Sequence, residues 1–274
     1  MRKLAIIIVS YNTKSYLENC LSSLHSPQPK HSHEIVIVDN GSVDGSVEMV
    51  RSNWPHVPVI QMGANLGYAK ANNRGIRSTE SELILLLNSD TVVSAGSIDG
   101  LIKELQLHDD VAVIGPRLID KNGYPELSFG SMINPWTELR QKLKMFLLRK
   151  KVPLVSDWVA SSTSLHHYPD WVSGACLLMR RADANAAGLL DEQFFLYAED
   201  VDLCARIRRL SRRILFTPNI EVVHHGGRSG LNNKTKTHRA YRHSQLAFYK
   251  KYQPGWERLL RLYLRIKRDL PRDI

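Results

Sequence analysis

Short apolar runs that end in polar residues recur along the first half of this 274-residue chain. The first run, Leu4–Val9, is rich in β-branched residues and far shorter than the roughly 20 apolar residues of a membrane-spanning helix. Similar runs lie at 34–38, 57–62, 83–87 and 111–115, and a helix-like segment lies at 67–78. Buried strands that alternate with helices predict βαβ units and a mostly parallel sheet. In such sheets ligands bind beyond the carboxyl ends of the strands, where this chain has its polar residues.

The second half of the chain is less regular. Apolar spacing predicts helices at 135–151, 199–209, 239–251 and 256–268, and short strands at 214–216 and 220–223. We interpret the polar, Ser-rich segment 157–168 as a loop. The composition shift near residue 237 predicts two parts, an α/β domain over 1–237 and a basic helical C-terminal extension over 238–274.

The net charge is strongly positive, with 37 Lys and Arg against 27 Asp and Glu, which gives +10. The excess is concentrated in 140–151, which has six basic and no acidic residues, and in 238–274, where the net charge is +7. Such an excess attracts polyanions: nucleic acid, anionic lipid or phosphorylated substrates. The charge alone does not distinguish among these three partners.

The three cysteines are Cys20, Cys176 and Cys204, far apart and without CxxC spacing. A disulfide scaffold and a thiolate zinc cluster are therefore not expected. The basic start of the chain is followed by an apolar run without a small-residue cleavage site, which is unlike a secretory signal peptide. We expect a cytoplasmic protein in a reducing compartment.

Acidic residues follow three of the predicted elements: Asp39, Asp90 and the pair Glu199 and Asp200. Each alone is also typical of a turn or a helix cap. At a strand end, Asp39 is placed to accept a hydrogen bond from a base or a ribose hydroxyl. Asp90 is placed to hold a divalent cation against a diphosphate. Because the chain has neither a P-loop nor GxGxxG spacing, a metal ion is the better candidate for holding phosphate.

A series of motifs runs in order across about residues 4–230: Ile8–Asn12, Val38–Ser46, Asn65–Gly75, Leu87–Thr91, Ser173–Ala175 with Leu190–Cys204, and His224–Ser229. The series resembles the inverting glycosyltransferases of family 2, and within them the bacterial rhamnosyltransferase-like branch. The resemblance implies the GT-A fold, an α/β fold with a mostly parallel mixed sheet flanked by helices. It also implies a nucleotide-sugar donor and a Mg²⁺ or Mn²⁺ cofactor.

The resemblance implies a role for each matching residue. The nucleotide-sugar site would consist of Ser10, Tyr11, Asn12, Asp39, Asn65, Gly67, Asn73, Asn88 and Ser89. Asp90 and His224 would bind the metal ion, since imidazole is an acceptable ligand for Mn²⁺. Asn88 stands where the family usually has the first Asp of its DxD motif, so it is at most a weak or indirect ligand. We interpret His225 as structural or solvent-facing.

Asp200 matches the catalytic base of the family. Inversion by direct displacement needs one carboxylate on the acceptor side and none that attacks the sugar. Glu199 lies about 100° away around a helix, so the two side chains cannot both point at one acceptor hydroxyl.

The function implied is transfer of a sugar from dTDP-rhamnose or a UDP-sugar to a hydroxyl of a glycan or lipid-linked acceptor in cell-surface polysaccharide synthesis. The basic segments add an expected peripheral contact with the inner face of the cell membrane. The alternative is a basic nucleic-acid-binding α/β protein without transferase activity. It is disfavoured because carboxylates at the strand ends would repel a phosphate backbone. A dinucleotide oxidoreductase is disfavoured because Ser10–Thr13 stands in place of the glycine fingerprint.

Overall fold

The computed structural model describes residues 2–150, 152–226 and 234–271. The strands are β1 (Leu4–Ser10), β2 (His33–Asp39), β3 (Val59–Gln61), β4 (Leu83–Asn88), β5 (Thr91–Val93), β6 (Val111–Ile119), β7 (Phe129–Gly130), β8 (Trp171–Val172), β9 (Cys176–Arg180) and β10 (Arg213–His224). The helices of the first half are α1 (Lys14–His25), α2 (Ser46–Asn53), α3 (Tyr68–Arg77) and α4 (Ser97–Gln106). Those of the second half are α5 (Pro135–Arg149), α6 (Pro153–Ser162), α7 (Arg181–Ala186), α8 (Glu199–Arg209), α9 (Lys234–Tyr252) and α10 (Pro254–Ile266).

Eight of these strands form one mixed sheet in the order β3-β2-β1-β4-β9-β6-β10-β5. The first four are parallel, whereas β9 runs antiparallel to both of its neighbours. Strand β10 is parallel to β6 and antiparallel to the short β5. The register pairs Ser10 with Asp39 and Val9 with Asn88, so three predicted site residues meet at one edge of the sheet. The α/β fold with a mostly parallel sheet is therefore confirmed.

Both faces of the sheet are covered by helices. Successive side chains of a strand point to opposite faces, so each central strand contributes to two separate cores. On one face, Ile6 and Ile8 of β1 belong to a core that includes Leu21 of α1 and Ile102 of α4. On the other face, Ile7 belongs to a core with residues of α3 and α8. Covering both faces leaves the carboxyl edge of the sheet to the polar loops.

Two predictions in the second half are wrong. The Ser-rich segment interpreted as a loop is helical as far as Ser162 in α6, which has Pro153 in its first turn and buries Val159. Proline is compatible with the first turn of a helix, since its missing N–H has no partner there in any case. The two short strands predicted at 214–216 and 220–223 are one strand, β10, with an irregularity between Thr217 and Glu221.

Helix α9 packs firmly against the α/β domain. It buries Leu246, Phe248 and Tyr249, and the Ser244 hydroxyl donates a hydrogen bond to the carbonyl of Leu196 at 2.8 Å. The helix begins at Lys234 and thus runs across residue 237, and the division into two domains there stays a prediction. Residues 227–229 of the last motif lie outside the described residues. In the described ranges, we find no helix with the length and apolar character needed to cross a membrane.

Candidate functional site

A cavity of about 560 Å³ opens at the carboxyl edge of the sheet, within the usual size range of small-molecule sites. Nine of the predicted site residues line it: Tyr11, Asn12, Asn65, Gly67, Asn88, Ser89, Asp90, Asp200 and His224. They come from both halves of the sequence, so the fold assembles one site from residues more than a hundred positions apart. Three further predicted residues, Ser10, Asp39 and Asn73, do not line this cavity.

Asp90 and His224 meet at the cavity because β5 and β10 pair with Thr91 opposite His224. The His224 Nε2 atom lies 3.4 Å from Asp90 Oδ1, and Asn88 Nδ2 lies 3.4 Å from the same nitrogen. The neighbouring His225 differs. Its backbone N–H donates to the Asp90 carbonyl at 2.9 Å, and its ring packs at a tilt against Tyr16, with 5.3 Å between centroids.

Glu126 is a functional candidate that the sequence analysis missed. Its Oε2 atom lies 3.0 Å from His224 Nδ1. A carboxylate on one ring nitrogen fixes the tautomer and turns the lone pair of the other nitrogen toward a cation. Glu126 stands in an irregular segment between β6 and β7 without any motif, so no sequence signal pointed to it.

Electrostatics at His224 favour positive charge at this position. Burial lowers the pKa of His224, but the hydrogen bonds with Asp90 and Glu126 outweigh it and raise the pKa to about 9. A cation bound between Asp90 and His224 would replace the proton of His224 as the positive charge.

The donor set fits a divalent cation only in part. Carboxylate oxygen and imidazole nitrogen together suit Mn²⁺. Over the described part of the chain, no three His, Cys, Asp or Glu side chains form a complete cation site. Glu126 faces the other ring nitrogen of His224 and so cannot be the third ligand. Two protein ligands leave positions for the oxygens of a diphosphate, which is how Mg²⁺ sites on nucleotides are commonly built.

Asp200 lies in the first turn of α8, and both of its carboxylate oxygens accept backbone hydrogen bonds. Oδ2 accepts from Gly174 N–H at 2.9 Å, and Oδ1 accepts from Val201 N–H at 2.8 Å. Burial raises the pKa of Asp200, and these hydrogen bonds oppose that effect in part. The carboxylate is thus fixed in orientation at the cavity and has a raised proton affinity.

Glu199 also lines the cavity but stands in a different environment. Its side chain is 5% exposed, and its Oε2 atom has no hydrogen-bond partner among the described residues. Burial, together with the negative charge of Asp200, raises the pKa of Glu199 well above its usual range. The two adjacent carboxyl groups therefore differ in their surroundings, with Asp200 hydrogen-bonded and Glu199 unpartnered at one oxygen.

Tyr68 lies among the acidic residues of the site and was also missed by the sequence analysis. Its hydroxyl donates to the Gly174 carbonyl at 2.9 Å. Burial raises the pKa of Tyr68, and the charges of Glu199, Asp200 and Asp90 raise it further. The phenol thus stays neutral and supports the loop that orients Asp200.

Gly67 joins the two halves of the site. Its backbone has φ +93°, and a Cβ atom there would lie 2.7 Å from the carbonyl oxygen of Phe195. Tyr68 N–H donates to that same oxygen at 2.7 Å. Only glycine permits this close approach, which holds the start of α3 against the loop that leads into α8.

Asp39 provides an acceptor atom that nothing in the described residues satisfies. The side chain is 3% exposed, and its Oδ2 atom accepts from the backbone N–H groups of Gly41 and Ser42 at 3.2 and 3.1 Å. Its Oδ1 atom is buried without a hydrogen-bond partner. Since a buried carboxylate oxygen normally has a partner, this atom is a candidate for binding a ligand donor.

Ser10 and Asn73 are used within the fold. The Ser10 and Thr13 hydroxyls lie 3.1 Å apart, and Thr13 continues this chain to the Ser89 hydroxyl at 2.8 Å. Asn73 Nδ2 donates to the Leu190 carbonyl at 2.8 Å, and Asn73 Oδ1 accepts from Leu190 N–H at 3.1 Å. Ser10 thus supports the end of β4, and Asn73 anchors the segment that precedes α8.

Helix α9 contributes to the cavity, which the sequence analysis did not anticipate. Lys236, Thr237 and Ala240 of α9 line it together with Phe195 and Tyr197. This side of the cavity contains none of the residues that the resemblance assigns to the nucleotide-sugar or to the metal ion. It is therefore a candidate surface for a second substrate.

Known proteins are similar to this chain over most of its length. An N-acetylglucosaminyl-diphospho-decaprenol L-rhamnosyltransferase of Mycobacterium tuberculosis is 28% identical over 93% of this chain and 86% of its own length. The solved mannosyltransferase PcManGT of Pyrobaculum calidifontis, in complex with GDP-Man and Mn²⁺, has a TM-score of 0.61 at 16% identity and covers 91% of this chain and 64% of its own. S. aureus TarS 1-349 has a TM-score of 0.57 at 16% identity and covers 92% of this chain and 73% of its own.

The TM-scores of these two structures establish the fold. They establish nothing beyond the fold, because the sequence identities are low. The fold is that of the GT-A glycosyltransferases. The family profile described as Glycosyl transferase family 2 matches residues 5–161, which is more than half of the sequence and includes the motifs of β1, β2 and β4. The chain therefore belongs to glycosyl transferase family 2.

Proposed function

We propose that this protein is a metal-dependent, inverting glycosyltransferase that transfers rhamnose from dTDP-rhamnose to a hydroxyl of a lipid-linked glycan in cell-surface polysaccharide synthesis. The observation that supports it most is one cavity lined by the Asp90–His224 pair and by the oriented carboxylate of Asp200. Rhamnose and the lipid-linked acceptor come from the activity named for the mycobacterial relative. A UDP-sugar remains the alternative donor.

The nucleotide part of the donor would bind at the edge formed by β1, β2 and β4. Thymine and uracil both carry an imide N–H, and the unpartnered Oδ1 atom of Asp39 would accept a hydrogen bond from it. Tyr11, Asn12 and Asn65 line the adjoining part of the cavity. These contacts do not distinguish dTDP from UDP, which is why both donors are retained.

Asp90 and His224 would hold Mg²⁺ or Mn²⁺, with Asn88 as a weak or indirect ligand. The ion would stabilise negative charge on the departing nucleoside diphosphate. Glu126 would keep His224 in the tautomer that presents Nε2 to the ion.

Asp200 would act as the general base. It accepts the proton of the acceptor hydroxyl while that oxygen forms a bond to the anomeric carbon. The bond from the anomeric carbon to the diphosphate oxygen breaks on the opposite face, its electron pair leaves with the nucleoside diphosphate, and the configuration inverts. Gly174 and Val201 fix the orientation of the carboxylate. The raised pKa of Asp200 improves its match to a proton acceptor near neutral pH.

We also propose that the protein works on the cytoplasmic side and contacts the inner face of the cell membrane peripherally. A lipid-linked acceptor requires such contact, and the three buried, unpaired cysteines agree with a reducing compartment. Nucleic acid is not a proposed partner, since the chain belongs to a family of transferases.

The test is a donor panel of dTDP-rhamnose, UDP-sugars and GDP-mannose, measured as release of nucleoside diphosphate with Mn²⁺ or with a chelator. We expect release from dTDP-rhamnose that requires both the metal and a glycan acceptor. Release from none of these donors would contradict the proposal, and metal-independent release would contradict the role of Asp90 and His224.

A further inference from the structure

Helices α5 and α6 form a hairpin with an apolar surface turned toward solvent. We call this surface the hairpin face; it consists of Trp136, Leu139, Leu143, Phe146, Leu154 and Trp158. Trp136 is 67% exposed and Leu154 is 80% exposed. Several large apolar side chains exposed on one pair of helices are typical of an interaction site in a folded protein.

Helix α5 turns an apolar side toward solvent, whereas a helix on the surface of a globular protein normally turns its apolar side toward the core. Four of its apolar residues follow helical spacing at 136, 139, 143 and 146, and all four are more than half exposed. The helix is attached to the fold through a polar residue instead. Glu138 accepts hydrogen bonds from Gln245 at 2.6 Å and from the Tyr249 hydroxyl at 2.9 Å, both on α9. The hairpin face is thus free to contact another surface.

The charges around the hairpin face indicate what kind of surface it contacts. Arg140, Lys142 and Lys150 are exposed beside it, and the Lys144 ammonium lies 3.7 Å from the centroid of the Trp158 ring. No acidic residue occurs between 139 and 150. A second copy of the chain would bring these cations against their equivalents, which disfavours self-association through this face.

Helix α10 repeats the pattern. Trp256, Leu259, Tyr263 and Ile266 are exposed at the same spacing, and the neighbouring Arg265 is exposed as well. Its Leu264 is buried, so the helix is held on the fold by one side while its apolar stripe remains outside. Two separate helices therefore present an apolar stripe beside basic residues.

We propose that the hairpin face docks on an anionic phospholipid bilayer, with the exposed stripe of α10 as a second contact. A basic amphipathic helix lies in the plane of a membrane interface with its apolar side buried among the acyl chains. Lys and Arg at its edges bind the anionic headgroups. This explains why the apolar side chains are exposed and why basic residues outnumber the acidic Glu138 and Asp157 in the two helices.

The docking surface is linked to the cavity by α9. This helix binds α5 through Glu138, and its first turns line the cavity with Lys236, Thr237 and Ala240. Docking would therefore bring the acceptor side of the cavity near the bilayer. That consequence rests on the proposed transferase activity, whereas the docking, which specifies the membrane contact of the proposed function, is argued from the exposed stripes and the charges beside them.

The test is co-sedimentation of the full-length protein with phosphatidylcholine vesicles that contain or lack phosphatidylglycerol. We expect binding only to the anionic vesicles, and loss of that binding in the double variant Leu139→Glu/Leu143→Glu. The matched control Leu107→Glu/Leu210→Glu alters exposed leucines far along the chain from the hairpin and should bind normally. Nucleotide is absent from this assay, so its outcome is independent of the transferase activity.

A charge series separates headgroup binding from apolar contact. Arg140→Gln/Lys142→Gln should weaken binding to anionic vesicles about 25-fold, since each cation near the surface contributes about fivefold. The control Lys103→Gln/Lys121→Gln removes two exposed cations elsewhere and should have little effect. Equal binding by all variants, or no binding at low salt, would overturn the proposal. Light scattering that shows a dimer lost in the Leu139→Glu/Leu143→Glu variant would also overturn it, in favour of a second copy on this face.

Discussion

At the residue scale, the site depends on a few polar atoms that are oriented by partners inside the fold. His224 is held by Glu126 on one nitrogen and faces Asp90 with the other. Asp200 is held by two backbone N–H groups. Such supporting contacts determine where a charge or lone pair points, so removing one should alter binding or turnover without unfolding the protein.

The support from Glu126 can be tested by Glu126→Gln. We expect about 10- to 100-fold weaker binding of Mn²⁺ in the presence of nucleoside diphosphate, because a partner of a metal-binding histidine has typically that influence. Isothermal titration calorimetry measures this directly. A suitable control is Glu104→Gln, since Glu104 pairs with His166 at 3.2 Å away from the cavity. Equal affinity of Glu126→Gln and the wild type would show that His224 does not depend on this contact.

The same titration distinguishes the two adjacent histidines. His224→Ala should abolish most of the metal-dependent nucleotide binding, because the imidazole faces Asp90. His225→Ala should leave it nearly unchanged, because that ring packs on Tyr16. If His225→Ala is the more damaging variant, the assignment of the ligand is off by one residue.

The raised pKa of Glu199 predicts how stability changes with pH. Above the ordinary pKa of a glutamate, the folded state retains the proton that the unfolded state has lost, so the free energy of unfolding falls as pH rises. Glu199→Gln removes this penalty. Its melting temperature should therefore exceed that of the wild type by a margin that grows with pH, and a gain of about 1 kcal/mol would appear as about 2–4 °C.

Glu192 provides a control whose pKa shift is opposite in direction to that of Glu199. Its hydrogen bond with Asn73 and its pairing with Arg77 lower its pKa. The contribution of Glu192 to stability is therefore present above the ordinary pKa of a glutamate and is lost as pH falls. Glu192→Gln should lower the melting temperature at neutral pH and have less effect in acid. A Glu199→Gln margin that shrinks with rising pH would contradict the burial argument.

At the element scale, the sheet positions the site and the helices set its shape. Strands β1, β2 and β4 end together, which brings Ser10, Asp39 and Asn88 to one edge. The close packing of α3 on β1 and β2 relies on Gly75. A Cβ atom there would lie 2.5 Å from Cγ2 of Ile7 and 3.0 Å from Cγ2 of Val38.

Two glycine substitutions in helices should thus have opposite effects. Gly75→Ala should lower the free energy of unfolding by about 1–3 kcal/mol, the usual cost of overpacking a core. Gly255→Ala in α10 should raise it by about 0.4–1 kcal/mol, because the new methyl meets no atom within 4 Å beyond its chain neighbours and the helix backbone, and the unfolded chain loses freedom. Urea-induced unfolding measures both. A neutral or stabilising Gly75→Ala would contradict the packing of α3 described above.

The sequence predicted the elements whose burial leaves a clear apolar pattern. Strand β1 is buried along its whole length and the apolar run Leu4–Val9 located it, and α8 was predicted with its observed bounds. Helix α6 was missed because the polar, Ser-rich segment from Asp157 onward hid its second half, and Val159 is the buried residue among those of α6 whose burial the structure describes. The local pattern of that segment was therefore a poor guide to this helix.

The same limit applies to the site. Asp90, His224 and Asp200 could be named from the sequence because they stand in motifs that a family shares. Glu126 stands outside these motifs, and Tyr68 stands in one of them, but the roles of both become visible only through contacts with residues about a hundred positions away. The unpartnered oxygen of Asp39 likewise becomes visible only once its surroundings are known.

At the scale of the whole molecule, the C-terminal helices connect the cavity with the outer surface. Helix α9 lines the cavity and binds α5, and its Arg242 pairs with Asp269, which follows α10, at 2.6 Å. Deleting α10 would remove Asp269 and the buried Leu264 together. Point substitutions on the exposed stripes are therefore the better test of membrane contact.

The measurement that tests the central claim most directly is turnover of Asp200→Asn with dTDP-rhamnose and an acceptor, beside calorimetric binding of the donor. Asn keeps the size of the side chain but cannot accept the acceptor's proton. We predict a loss of turnover of about 10² or more with nearly unchanged donor affinity, whereas Glu199→Gln should retain substantially more activity. Near-normal turnover of Asp200→Asn would contradict the account, because inverting transfer at this site would then proceed without its proposed base.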